Sequence, residues 1–171
     1  MDIRVVATPG AKTGTLSWAG RQMHCALGRA GIRADKREGD GATPAGLFPL
    51  RRLLYRADWL LSPATRLDAW PIRPNDGWCD DPADPRYNQP VRLPYAARHE
   101  VLWRDDRLYD LVVVLGHNDD PVVPGDGSAV FLHVATADYA PTAGCVALAE
   151  ADLLALLAVC RPGDRLAISL L

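Results

Sequence analysis

PTAGCVAL (residues 141–148) is the stretch that most constrains what the chain does. It sets Cys145 directly after Gly144 in a run of small residues, ahead of a segment rich in alanine and leucine. Twelve residues earlier stands His133, inside GSAVFLHVA (127–135). A thiol attacks only as its thiolate, so a nucleophilic cysteine needs a base or positive potential beside it. A strand ending near 134, a crossing, and Cys145 just before a helix would bring the two side chains together. The N-terminus of that helix would add favourable potential for an anion. Gly144 would let the backbone approach a substrate closely, and the amides of Gly144 and Cys145 would bind an oxyanion. The plainer alternative is structural. Free cysteine is among the most buried residue types, and a histidine on an apolar strand is commonly a hydrogen-bonded core residue. Spacing alone leaves both readings open.

The bulk properties bound the class. With 171 residues, 49% hydrophobic and 23% charged, the chain is an ordinary globular protein of one domain, or one with a sizeable insertion. A net charge of −2 gives no sign of the clustered basic surface of a nucleic-acid binder. The signs alternate in ADKREGDGA (34–42), as in a solvated loop. The most apolar stretch, VALAEADLLALLAVC (146–160), is broken by Glu150 and Asp152 and is too short to span a bilayer. The start, MDIRVVATPGAKTG, lacks the basic, apolar and small-residue segments of a secretory leader. It reads as cytosolic, or as a mature or differently exported form. Cys25, Cys79, Cys145 and Cys160 form no CxxC pair, which argues against zinc and for mainly reduced thiols.

Periodicity predicts mostly strands. IRVVA (3–7) is one, and residues 15–28 form a hairpin turning at Ala19-Gly20. REGDGATPAGLFPL (37–50) is a structured loop, and 48–55 returns to a strand. Residues 57–99 keep no clean period and form a long irregular excursion. Its aromatics Trp59, Trp70, Trp78 and Tyr87 suit either a packed lid or a second small core. HEVLW (99–103) and RLYDLVVVLGHN (107–118) read as a hairpin turning at 104–106, and 128–135 as a further strand. A helix is predicted over 147–160, stopped by Arg161-Pro162-Gly163, and a last strand over 164–170.

GSAVFLH (127–133) followed by PTAGCVAL (141–148) resembles the catalytic segment of the YkuD-type L,D-transpeptidases, where a histidine precedes a Ser/Thr-x-Gly-Cys signature. EGDGATPAGLF (38–48), GWCDDPADPRYN (77–88) and GHNDDPVVPGDGS (116–128) are similar to segments of a proteobacterial branch of that family, in the same order. The likeness runs from about residue 3 to 170. Ala143 stands where many members carry histidine, and Ala147 where many carry Asn or Arg. Those departures spare the nucleophile and base and alter substrate contacts.

The resemblance implies a mostly β (β-rich α+β) fold, a mixed β-sandwich with one main helix after Cys145. It implies a single catalytic domain over 1–171, with 57–99 as a lid or cap. Cys145 would be the nucleophile, His133 the base, and the backbone of Gly144 and Cys145 the oxyanion site. Thr142 would shape the turn or touch substrate. Asn118 would contact substrate or cap a turn, and His117 would line the cleft or lie at the surface. Donor and acceptor would be peptidoglycan stem peptides, and a carbapenem would acylate Cys145. No metal or organic cofactor is implied. The acyl group would pass to an amine, most commonly in a 3-3 cross-link, or to water in an L,D-carboxypeptidase. A non-catalytic wall-binding module and a cytosolic hydrolase of recycled muropeptides are the rival readings. The family's usual place is the periplasm, against the cytoplasm suggested by the missing leader.

Overall fold

A computed structural model describes all residues, 1–171. The first strands, β1 (Asp2–Ala7), β2 (Thr13–Trp18) and β3 (Arg21–Ala26), form an antiparallel meander. The β2–β3 turn falls at Ala19-Gly20, both at positive φ, as its right-handed twist requires. After β4 (Ile32–Arg33) and β5 (Thr43–Pro44), which pair only with each other, comes the long β6 (Gly46–Tyr55). β7 (Ala69–Pro71), β8 (Asp76–Cys79), β9 (Pro90–Arg92) and β10 (His99–Val101) lie in the excursion or at its end. β11 (Leu111–Leu115), β12 (Phe131–Val134), β13 (Val146–Leu148), the helix α1 (Glu150–Leu157) and β14 (Arg165–Leu170) complete the chain.

The main sheet runs β11-β12-β13-β3-β2-β1-β14-β6-β7, and β6 pairs back to β11. The sheet therefore closes on itself as a flattened sandwich. β6 makes the corner: Gly46–Pro49 pair with β14 and Leu50–Tyr55 with β11. Alternation fills the interior. Ile3, Val5, Leu16, Cys25, Leu53, Leu132, Val146, Leu148 and Leu166 point inward into one cluster of 27 buried residues. Leu153, Leu156 and Leu157 of α1 close that core at one end. Burying each leucine contributes roughly 1.5–3 kcal/mol. No helix is long and apolar enough to cross a membrane.

Three expectations change. Residues 99–103 and 107–118 form no hairpin: β10 pairs with β8, while β11 is buried throughout and has both edges taken, by β6 and β12. No edge remains for a neighbouring strand. The excursion is also less irregular than its composition suggests, because β8, β9 and β10 form a small antiparallel sheet. Its short strands carry too few residues for a period to emerge. Finally, the helix starts at Glu150, not 147. Val146 and Leu148 face the core beside Leu132 and Val134 in a parallel ladder, so tertiary pairing extends these residues despite their helical composition.

The small sheet lies over the outer face of β11 and β12. Trp78, Leu102 and Tyr109 join Val112, Val114, Phe131 and Cys145 in a second cluster of nine buried residues. Of the four aromatics singled out in the excursion, Trp78 and Tyr87 are buried, whereas Trp59 and Trp70 are half exposed. The latter two serve as platforms for Arg56, Arg107 and Arg52.

Candidate active site

Strand periodicity brings Cys145 and His133 together. β12 and β13 run parallel with His133 opposite Ala147, so Phe131, His133, Cys145 and Ala147 share the outer face while Leu132, Val134, Val146 and Leu148 face the core. Cys145 precedes β13 and lies level with Phe131, whose N–H donates to Sγ at 3.4 Å. His133 is two residues further along the neighbouring strand, making the pair diagonal neighbours on one face. Both line a cavity of about 620 Å³. A cavity of about 830 Å³ behind Trp78 holds neither residue.

At rest the thiol donates to the Ala129 carbonyl at 3.3 Å. Burial pushes it up to about 12, and the nearby Glu100 carboxylate adds to the shift. Burial pushes the His133 imidazole the other way, to about 4. His133 Nδ1 lies 2.8 Å from the Val134 carbonyl, which can only accept. Nδ1 therefore carries the hydrogen, and the Nε2 lone pair is left to act as a base. Tyr109 packs edge-on against His133, with ring centroids 5.3 Å apart, and donates its hydroxyl to Glu100 at 2.7 Å. The resting pair is a neutral thiol and a neutral imidazole. The helix potential invoked for the thiolate is absent, because β13 separates Cys145 from α1.

The loop before the cysteine is built on Thr142. Its N–H donates to the Leu27 carbonyl and its carbonyl accepts from Arg29 N–H, binding the loop to the segment after β3. Its Oγ1 accepts from Gly144 N–H at 3.1 Å and donates to the Cys145 carbonyl at 2.7 Å. Gly144 N–H is thus occupied, while Cys145 N–H makes no hydrogen bond within the protein and is the free amide of the two. Gly144 has φ +145°, and a Cβ there would lie 2.7 Å from the Ala42 carbonyl oxygen. The backbone that needs Gly144 to be bare is the protein's own. Replacing Thr142 by valine removes two side-chain hydrogen bonds, so a loss of about 1–3 kcal/mol is expected. Thermal unfolding measures it, and Thr142→Ser should recover most of it.

Asn118 and His117 do not line the cavity. Asn118, at φ +49°, donates to the carbonyls of Val123 and Gly127 and accepts from Val123 N–H. It closes the 118–127 loop, and no polar atom of its side chain is left over for substrate. His117 Nε2 lies 2.9 Å from the Asp126 carbonyl in the same loop.

Several site residues escape a reading of the sequence. Buried Asn88 accepts from Trp78 Nε1 and Ala129 N–H and donates to the carbonyls of His117 and Asn118. It ties the excursion to the residue that receives the thiol hydrogen. Tyr87 donates to Glu38 and accepts from Gly127 N–H, a second tie. Lys36 is buried at the cavity and paired with Asp40 at 2.5 Å. No local pattern marks these residues, because each partner is distant in sequence or belongs to an ordinary turn.

Comparison with known proteins identifies the family. The model of the L,D-transpeptidase catalytic domain, YkuD, matches residues 11–168. Among solved structures, an L,D-transpeptidase from Mycobacterium smegmatis is 16% identical with a TM-score of 0.44, the match covering 98% of this chain and 58% of that one. L,D-transpeptidase 1 of Mycobacterium tuberculosis is 17% identical with a TM-score of 0.41, covering 98% and 61%. The chain thus spans less than two thirds of either protein. No curated protein matches. On the strength of a family match running almost from end to end, over strands that set a cysteine and a histidine in one cavity, this chain belongs to the YkuD family of L,D-transpeptidase catalytic domains.

Proposed function

We propose that this chain is a peptidoglycan L,D-transpeptidase in which Cys145 is the nucleophile and His133 its base. The observation that carries the proposal is the shared face of β12 and β13, with thiol and imidazole as diagonal neighbours in one cavity. The donor is a stem peptide with a terminal D-alanine. As its carbonyl enters, the thiol turns from the Ala129 carbonyl toward His133, and Nε2 takes the proton while Sγ forms the bond to carbon. The carbonyl electrons move to oxygen, and Cys145 N–H stabilises that charge. Collapse breaks the C–N bond, and His133 returns the proton to the departing D-alanine amine. A thioester remains on Cys145. An acceptor amine then attacks it, loses a proton to His133 and releases the thiol. The new amide is a cross-link, of 3-3 type when the acceptor is the side-chain amine of another stem. Water in place of the amine gives a carboxypeptidase. The excursion over 57–99 acts as the cap that shields the thioester. Such substrates place the protein in the cell envelope or in muropeptide recycling, which fractionation distinguishes.

The test is incubation with disaccharide-tetrapeptide, followed by mass spectrometry of protein and products. A dimer formed with loss of D-alanine supports transpeptidation, and fragmentation names the linked positions. D-alanine release without a dimer means hydrolysis. Neither product nor a covalent adduct would reject the enzymatic reading in favour of a wall-binding module.

The pH profile follows from the resting pair. The base is lost only below about 4, and the thiol ionises by itself only near 12. Acylation of Cys145 by a carbapenem is therefore expected to be nearly flat from roughly pH 5 to 9. A limb centred near neutral pH would show an imidazole far less shielded than this one.

A further inference from the structure

We infer that the Arg29 guanidinium is the receptor for the free carboxylate of the residue expelled from the donor, and so sets the enzyme's preference for a chain-terminal residue. The inference rests on the transpeptidase reading above. Four cations line the cavity that holds Cys145: Arg29, Lys36, Arg98 and Arg104. Three are already committed. Lys36 is paired with Asp40, Arg98 with Asp80, and Arg104 with Asp106. Arg29 alone has neither a carboxylate partner nor any side-chain hydrogen bond, although its residue is exposed at the cavity.

The backbone at Arg29 is held from both sides. Arg29 N–H donates to the Thr142 carbonyl at 3.0 Å, and Thr142 in turn bonds to the backbone of Cys145. On the other side, Ala30 N–H donates to the Gly41 carbonyl at 3.0 Å. The Arg29 side chain lies against bare Gly41: a Cβ added there would come within 2.8 Å of Cγ, Nε and Cζ. Gly41, at φ +71°, thus leaves room for the arginine to lie along the loop beside the nucleophile. A guanidinium with all its donors free and its stem laid down in advance suits a bidentate carboxylate. In the donor, the carbon of the terminal carboxylate is three bonds beyond the scissile carbonyl carbon. That short reach calls for a cation close to the nucleophile loop. The other cations would have to break an existing ion pair to serve.

The test compares two donors, disaccharide-tetrapeptide and the same molecule with its terminal carboxylate converted to a carboxamide, on wild type, Arg29→Gln and Arg29→Lys. Release of the terminal residue is the readout. Wild type should prefer the free acid by about 10–100-fold in kcat/KM, mostly through KM. Arg29→Gln should lose that factor on the acid, change little on the amide, and so erase the preference. Arg29→Lys should keep part of it. Unchanged thermal midpoints would show that the variants fold. An equal preference in wild type and Arg29→Gln, or equal losses on both donors, would overturn the inference and leave the transpeptidase reading standing. Turnover of neither donor by wild type would overturn both.

Discussion

Replacing Cys145 with alanine is expected to abolish adduct formation and to lower turnover by on the order of 10⁴-fold or more, leaving the fold intact. The size follows from covalent catalysis: without Sγ there is no thioester, and what remains is binding and an oxyanion donor with nothing to attack the carbonyl. The structural cost is small. Sγ makes two long sulfur hydrogen bonds, to Phe131 N–H and the Ala129 carbonyl, at 3.4 and 3.3 Å. Their loss costs about 1 kcal/mol. Intact mass after carbapenem treatment and D-alanine release from disaccharide-tetrapeptide measure the effect, and thermal unfolding shows whether the variant folds. Residual turnover within tenfold of wild type would place the nucleophile elsewhere. Cys25 and Cys160 make poor substitutes, since both are fully buried in the main core and neither lines the cavity.

The second large effect is on His133. His133→Gln keeps a polar side chain of similar reach but supplies no base, so Cys145 acylation should slow by about 10²–10⁴-fold at pH 7. The same substitution changes how stability depends on pH. In the folded protein burial pushes the imidazole from 6.5 down to about 4. The unfolded chain therefore binds a proton between those values that the native protein does not. Stability from this group is complete above pH 6.5 and is lost as pH falls toward 4, on the order of 3 kcal/mol in all. Denaturant unfolding of wild type and His133→Gln at pH 7 and pH 4.5 isolates the contribution. The wild type should lose more stability than the variant. Equal losses would mean that His133 is not held neutral by burial.

The chemistry of the site is compatible with both results. Burial raises the Cys145 thiol, so at neutral pH it rests as the protonated thiol. Cost and benefit meet at Ala129. Its carbonyl holds the thiol hydrogen, and its N–H is held by Asn88, which also accepts from Trp78. The small sheet over the outer face is thus tied, through Asn88, to the carbonyl that accepts the Cys145 thiol hydrogen.

Local patterns carried much of this molecule. The Ala19-Gly20 hairpin, the strands containing 3–7 and 48–55, and the last strand follow from alternation and turn residues, which act over neighbouring positions. The His133 and Cys145 segments are legible because the chemistry of each residue type is strong and their neighbours are distinctive. Other features depend on partners that no local window contains. Residues 146–148 have helical neighbours and become a strand because β12 and β3 offer them two edges. Residues 99–103 do not pair with β11, because its edges are filled by strands that precede and follow them in the chain. The hydrogen bonds of Asn118 and of His117 Nε2 go to Val123, Gly127 and Asp126, a pairing set by how the 118–127 loop closes.

The sequence by itself determined a β-rich chain, its principal turns, and a cysteine and a histidine of reactive type within one short interval. Only the tertiary structure decided that the two share a face of one cavity, that burial keeps both neutral there, and that Arg29 is the one cation of that cavity without a carboxylate partner. Burial and charge pairing are properties of the assembled packing: a residue's type sets what it can do, and the distant segments folded against it set its protonation and its free valences.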